Sequence, residues 1–481
     1  MAKHSSIYLI GNISSKLIGL VLLPLYTSRI TLSDYGFYAL FDVSIQFCQG
    51  FLHLGIPNAL FRWMNLEQKE TEKKAIFFSS YLFTVLFLLI ICLPLFFLST
   101  SLARGILGEA SMNIYFQLST LIIFFSILNM IPLFTLRVRE KSLYYVVAVL
   151  AKFVVQLLVT ILAIVQYDKG ILGIFLGLVV SEVLMFVMLL PFVIRQTVLR
   201  VLPKELKEMI RFGFPLSLSG LASRVLNIGD RYVLGYLTTL EVVGAYDIGY
   251  RIANAVDVIL IHSFQNSFQQ LVWKNVKAPN IRRLVRKLLD YFLFVFLWII
   301  LAVSVFSYDL VNLLTVTYEE YLAAAVIIPT ILLSIVFRGA GFIFNQTLQM
   351  ANKTAPIAYI MTGTAILNIG LNFLFIPFWG MQGAALATLF SFIIYSGISA
   401  YLSEKYFQIT YTWSNIGKLF VTTVFLYGAI TLLPPLPPVP LIIIKIVFIA
   451  LFPFLLYVFR FYELRELTTL KNLLSKKSLK K

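Results

Sequence analysis

The chain has 481 residues, 60% of them hydrophobic and 13% charged, with a net charge of +17 and a mean hydropathy of +0.90. This balance excludes a soluble globular domain and puts the chain in the polytopic membrane class. The surplus of Lys and Arg falls in short segments between apolar runs, where basic residues set topology, so no nucleic-acid partner is expected. Cys48 and Cys92 sit inside apolar runs with no metal or redox spacing and read as packing residues. The chain has no Walker A motif, zinc spacing or nucleophile elbow, so neither an enzyme nor a cofactor is expected.

Fourteen apolar spans follow in order, at 7–28, 37–60, 75–98, 113–136, 143–166, 171–194, 212–232, 242–271, 288–308, 322–348, 357–377, 381–402, 416–433 and 439–459. Spans this long predict α-helices rather than barrel strands. The first run lacks a small-residue cleavage site and reads as a retained span. With the N-terminus placed inside, 29 of the 39 Lys and Arg residues fall on the inner side. Only Arg29, Arg104 and Lys169 fall on the outer side. That asymmetry predicts that both termini are cytoplasmic. Lys445, near the start of the last span, is expected to snorkel.

The first six spans repeat in the second six. Lys16 lies 208 residues before Arg224, and Leu32, Gly36 and Tyr38 lie 208 before Leu240, Gly244 and Tyr246. Trp63 and Asn65 recur as Trp273 and Asn275, Lys141-Ser142 as Lys353-Thr354, and Gly170 and Gly173 as Gly380 and Gly383. Matches in one order at nearly one offset define an internal repeat. Six spans is an even number, so both units run in the same direction, as in transporters built from parallel repeats. The expected organisation is a six-helix lobe over 1–194, a cytoplasmic linker over 195–211, a second lobe over 212–402, and two further helices with a basic tail over 403–481.

Polar residues inside the spans mark a candidate site. Arg224, Asn227 and Arg231 share a helix face, and a cation at that depth costs about 3 kcal/mol on insertion scales. Arg231 fits the outer interface as well as the lumen. Asp42, Gln46, Gln49 and His53 form a stripe on span 2, and Asn254 and Asp257 on span 8 repeat Gln46 and Gln49. Asp247 and Arg251 are spaced as an i, i+4 pair. Lys152 and Gln156 on span 5, Glu182 on span 6, and Arg338, Asn345 and Gln349 on span 10 add to the set. A lone Gln or Asn is explained by bonding between helices, but polar stripes at equivalent positions of two repeats point to a lumen. The expected cationic cavity consists of Lys16, Arg224, Arg251, Arg338 and Lys152. Its expected polar lining is Asp42, Gln46, Gln49, His53, Asn227, Asn254 and Asp257. Asp42, Asp257 and Glu182 are the candidates for ion coupling. His53 is better read as a capped polar residue than as a proton carrier.

The stretch Phe212-Gly213-Phe214-Pro215-Leu216, followed by Asp230-Arg231-Tyr232-x-Leu234-Gly235 and Val243-Gly244-x-Tyr246, resembles the middle of the polysaccharide-biosynthesis flippase family. Leu22-Leu23-Pro24-Leu25-Tyr26-Thr27 with Asp34-Tyr35-Gly36-x-Tyr38 resembles its first span and loop. Ile376-Pro377-x-x-Gly380-Met381-x-Gly383-Ala384-Ala385 resembles its eleventh-to-twelfth-span junction. The resemblance runs over essentially the whole chain and places it in the wider multidrug/oligosaccharidyl-lipid/polysaccharide exporter superfamily, in the Wzx-like branch. It implies an all-α, MATE-like fold with two six-helix lobes plus two helices. It also implies translocation of an undecaprenyl-pyrophosphate-linked oligosaccharide, such as an O-antigen repeat unit, across a bacterial inner membrane. The partners it implies are that lipid-linked glycan, membrane lipids, a proton or sodium gradient, and the polymerase and chain-length machinery. A lipid II flippase and a drug or cation antiporter of the same superfamily are the alternatives. A lumen rich in cations disfavours the antiporter.

Overall fold

The computed structural model describes residues 19–67, 69–315, 319–434 and 437–462; among them the chain is helical, with no β-strand. In hydrocarbon every backbone N–H and C=O must be satisfied within its own segment, which makes helices the outcome for runs this apolar. The helices are α1 (Leu23–Arg29), α2 (Leu32–Leu52), α3 (Ile56–Leu66), α4 (Glu70–Phe97), α5 (Ser99–Leu107), α6 (Asn113–Val138), α7 (Ser142–Ile161) and α8 (Ile171–Gln196). They continue with α9 (Pro203–Ile228), α10 (Asp230–Leu237), α11 (Leu240–Val256), α12 (His262–Lys274), α13 (Ile281–Val305) and α14 (Ser307–Leu314). The last four are α15 (Ile328–Met350), α16 (Ala355–Phe407), α17 (Trp413–Thr431) and α18 (Pro438–Val458). Local signals set several starts. The Thr31 hydroxyl accepts the Asp34 N–H at 3.2 Å to cap α2. Glu70 and Glu72 place negative charge on the first turn of α4.

Nine segments of the described chain are long and apolar enough to cross a membrane. The first expected span lies mostly outside the described residues. The expected spans 11 and 12 are the two helical halves of α16, which break at Gly380, at φ 52° and ψ −129°. The expected span 2 is two helices, because Leu54 and Gly55 both take left-handed φ values of 50° and 69°. The expected span 8 holds a π-turn over Asp257–Ile261 between α11 and α12.

The repeat is written in the backbone as well as in the side chains. Gly170 (φ 50°, ψ −130°) and Gly380 (φ 52°, ψ −129°) adopt the same conformation, one open essentially to glycine alone. Glu140 and Asn352, each just before the matched Lys-Ser and Lys-Thr pairs, are both left-handed, at φ 53° and 56°. The two repeats meet where α2 crosses α11. A Cβ on Gly36 would overlap the Leu240 carbonyl, and a Cβ on Gly244 would overlap the Leu32 carbonyl. The contact is therefore reciprocal between equivalent residues, the signature of a two-fold relation. Gly177 faces Thr160 of α7 at a distance that leaves no room for a side chain.

Lys445 differs from its expected snorkelling position. It is 7% exposed and pairs with Asp309 of α14, tying α18 to the core. A buried ammonium needs an acceptor, and the Asp309 carboxylate supplies one.

Candidate functional site at the helix seam

Helix α2 runs along a seam against α9, α10 and α11. One end of the seam is shut by the Gly36–Gly244 crossing. Near it, the Tyr321 hydroxyl donates to the Ile30 carbonyl at 2.6 Å, and the Thr27 hydroxyl to the Leu314 carbonyl at 3.1 Å. The other end is also shut. The backbones of Gly55 and Gly213 touch so closely that a Cβ on either would overlap the backbone of the other. Beside them Trp63 packs edge-on to Phe212 at 5.6 Å, and the Arg62 guanidinium lies 4.6 Å from the Phe212 ring. Midway, the hydroxyls of Ser44 and Tyr232 bond at 2.6 Å.

The structure brings together most of the expected site residues, but in pairs that neutralise them. Arg251 reaches across the seam to Asp42 at 2.7 Å and back to Asp247 on its own helix. Arg231 bonds Asp247 at 3.1 Å and Asp230 at 2.9 Å. Gln46 donates to Asp42 at 3.2 Å and Tyr35 to Asp247 at 3.4 Å. Tyr246 donates to Asp230, and the Tyr250 ring lies 4.1 Å from the Arg231 guanidinium. Arg231 is thus not an interface residue. It is 2% exposed, at the centre of an ion cluster. A buried guanidinium needs this many acceptors, because an unpaired one would carry a large desolvation cost.

A second group joins Arg338, which binds Asp257 at 2.6 Å and donates to Asn227 at 2.7 Å; His262 lies 3.3 Å from the same carboxylate. A third lies apart from the seam. Lys152 of α7 pairs with Glu182 of α8, and Asn129 of α6 donates to the Glu182 carboxylate at 3.0 Å. Lys152 also lines a cavity of about 200 Å³ with Tyr145, Gln156 and Met185. The pairing removes Arg251, Arg338 and Lys152 from the set of uncompensated cations. It likewise gives the three candidate coupling carboxylates, Asp42, Asp257 and Glu182, a cation each.

Arg224 is different. Among the described residues no carboxylate lies within ion-pair distance of it. Its Cδ and Nε lie against Gly50 of α2, so close that a Cβ on Gly50 would overlap them. The guanidinium thus crosses the seam where glycine makes room. His53, one turn further along α2, accepts the Gly55 N–H on Nδ1 at 2.8 Å, which fits its reading as a capped residue. Gln49 donates to Ser126 at 2.8 Å. Asn254 is half-buried on α11. Lys16 lies outside the described residues. Among the described residues no group of three His, Cys, Asp or Glu is placed to hold a metal.

Sequence reasoning passed over Asp230 and Asn129. Asp230 stands next to Arg231 and was hidden by the interface reading of that arginine. Asn129 has no patterned neighbour, and only the approach of α8 gives it a carboxylate.

This fold is that of polytopic transporters. The structure superimposes on a lipid II flippase MurJ in an inward closed conformation with a TM-score of 0.75 and 16% identity, over 96% of this chain and 100% of that one. It superimposes on an inward-facing multidrug resistance MATE family transporter of the MOP superfamily at 0.67 and 14% identity, over 82% and 94%. In sequence, the polysaccharide biosynthesis protein family model matches residues 1–268 and the MatE model residues 215–374; the chain belongs to the polysaccharide biosynthesis protein family. It is 21% identical over 204 residues to a probable low-salt glycan biosynthesis flippase, Agl15, of Haloferax volcanii. That match spans 42% of this chain and 43% of the relative.

Proposed function

We propose that the protein is a flippase that carries a lipid-linked oligosaccharide across the membrane by alternating access. The observation that carries this reading is Arg224, a cation held across the seam without a carboxylate of its own among the described residues. In a low-dielectric lumen such a charge attracts an anion strongly, and the pyrophosphate of a polyprenyl-linked glycan supplies one. Lys16, the repeat mate of Arg224, is assigned to the same anion. Gln46, Gln49 and Asn254 are assigned to sugar hydroxyls, while the polyprenyl tail stays in lipid.

The cargo we favour is undecaprenyl-pyrophosphate-linked, an O-antigen or similar repeat unit. It would move from the inner to the outer leaflet of a bacterial inner membrane through a protein with both termini cytoplasmic. The two six-helix lobes, 1–194 and 212–402, would rock about the seam, and the lobe relation is supported by the reciprocal Gly36–Gly244 contact. Family membership supports the glycan cargo over lipid II, and the charge of Arg224 argues against a cationic drug.

The test is transport by purified protein in liposomes of a labelled undecaprenyl-pyrophosphate oligosaccharide, beside lipid II and a cationic dye, with and without proton and sodium gradients. Transport of the oligosaccharide lipid, lost in the Lys16→Ala, Arg224→Ala double variant, is the expected result. Transport of the dye alone would overturn the reading.

A further inference from the structure

The break in the middle of the second expected span is the least ordinary backbone feature of the seam. Three consecutive residues build it. The His53 imidazole accepts the Gly55 N–H at 2.8 Å, Leu54 is left-handed at φ 50°, and Gly55 at φ 69°. The Ile56 N–H then returns to the His53 carbonyl at 3.0 Å, starting α3. A left-handed leucine is strained, and it persists only where its surroundings hold it. The His53 ring is one such restraint. Without it the Gly55 N–H would lose its acceptor inside the bundle. The break sets the direction of α3, and Gly55 is the residue that touches Gly213. The hinge and the closed end of the seam are therefore the same residues.

His53 also faces the candidate cargo site. Gly50, three residues earlier on the same helix face, carries the Arg224 side chain against it. A backbone N–H can only donate, so Nδ1 must be the acceptor, and the neutral ring then carries its proton on Nε2. The ring is half-buried rather than sealed. We propose that His53 is a cargo-contact and hinge residue. Its Nδ1 holds the break that lets α3 close on α9 at Gly213, and its Nε2–H, fixed by that bond, is a second donor to the anionic group that Arg224 binds. An anion bonded at Nε2 stabilises the tautomer that caps Gly55, so cargo binding favours closure of the seam behind it. The contact half of this inference rests on the anionic-cargo reading; the hinge half does not.

Two exposed positions report closure at this end. Leu66 is at the end of α3. Tyr321 bonds Ile30 near the Gly36 crossing, so α15, 23 residues long, starts there and reaches the opposite end about 35 Å away, beside Thr354. Spin labels at Leu66→Cys and Thr354→Cys, in a background lacking Cys48 and Cys92, give a distance distribution in nanodiscs. His53→Asn places an amide oxygen where Nδ1 was but lacks the Nε2–H, whereas His53→Phe removes both. Without ligand, His53→Asn should keep the short-distance population of the parent, and His53→Phe and Gly55→Ala should lose it. A parent-like distribution in His53→Phe would overturn the hinge. With inorganic pyrophosphate as the probe, His53→Asn should bind about tenfold more weakly than the parent and no longer shift toward the short distance. Parent-like binding by His53→Asn would overturn the contact. If the parent itself fails to bind pyrophosphate or a short isoprenyl pyrophosphate while the ligand-free series behaves as expected, the hinge stands. The anionic-cargo reading and the contact then fall together.

Discussion

Single glycines and single charges decide what this seam can do. Gly36 and Gly244 each sit where a Cβ would overlap the other helix's carbonyl, so Gly244→Val would force α2 and α11 apart. Overpacking of this kind costs about 1–3 kcal/mol, and thermal unfolding in detergent should show a lowered midpoint. Gly363, on the open side of α16 with nothing near it, is the control expected to tolerate alanine. Glu182 is held by Lys152 and Asn129. Glu182→Gln leaves a lysine without its counter-charge, and breaking a buried pair in this way costs about 3–5 kcal/mol. Loss of folded protein in Glu182→Gln, recovered in the Lys152→Met, Glu182→Gln double variant, is the expected pattern. An unchanged midpoint in the single variant would mean that water already compensates the pair. Both carboxyl and amine were legible in the sequence as polar residues inside spans. Their pairing was not, because it depends on how α7 and α8 are rotated against each other.

At the scale of elements, α2 is the most informative helix. Its stripe of Asp42, Gln46, Gln49 and His53 was expected to line one lumen, yet the four residues meet different partners: Arg251, Asp42, Ser126 and the Gly55 backbone. A stripe on one helix says which face is polar. The neighbours that cross that face at each level decide the chemistry. The Asp42–Arg251 pair spans the seam, and on the alternating-access reading it separates as the seam opens. A double-mutant cycle with Asp42→Asn and Arg251→Gln, read as the fraction of molecules open by spin-label distances, should therefore give a coupling energy on the order of 1 kcal/mol or more. Additive effects would place the pair outside the moving contact. The last two helices pack on α13, and Lys445→Met should loosen α18 from α14. Faster proteolysis within 432–440 at unchanged folding of the rest would report it.

At the scale of the molecule, both ends of the seam are shut, one by the Gly36–Gly244 crossing and the other by the Gly55–Gly213 contact. Structures of the same fold are described as inward-facing and outward-facing. Replacing Gly213 with valine blocks closure at one end, and Gly36→Val blocks closure at the other. On the alternating-access reading the two variants should shift spin-label distances in opposite directions and both should abolish net transport. A shift in the same direction for both would show that the ends are not antagonistic.

Composition alone determined the membrane class, because no soluble fold can expose a chain this apolar. Apolar run lengths determined the helices, because only intra-helical hydrogen bonds satisfy the backbone in hydrocarbon. The repeat was also legible in sequence, down to Gly170 and Gly380, because a conformation open essentially to glycine preserves its residue in both copies. The tertiary structure alone decided the ionic pairing. It joined Arg251 to a carboxylate 209 residues away, buried Arg231 among aspartates, and held Arg224 against Gly50 of the opposing helix. Charge in sequence gives a residue's sign. Whether that charge is compensated depends on the few ångströms between helices, which periodicity along one chain does not encode.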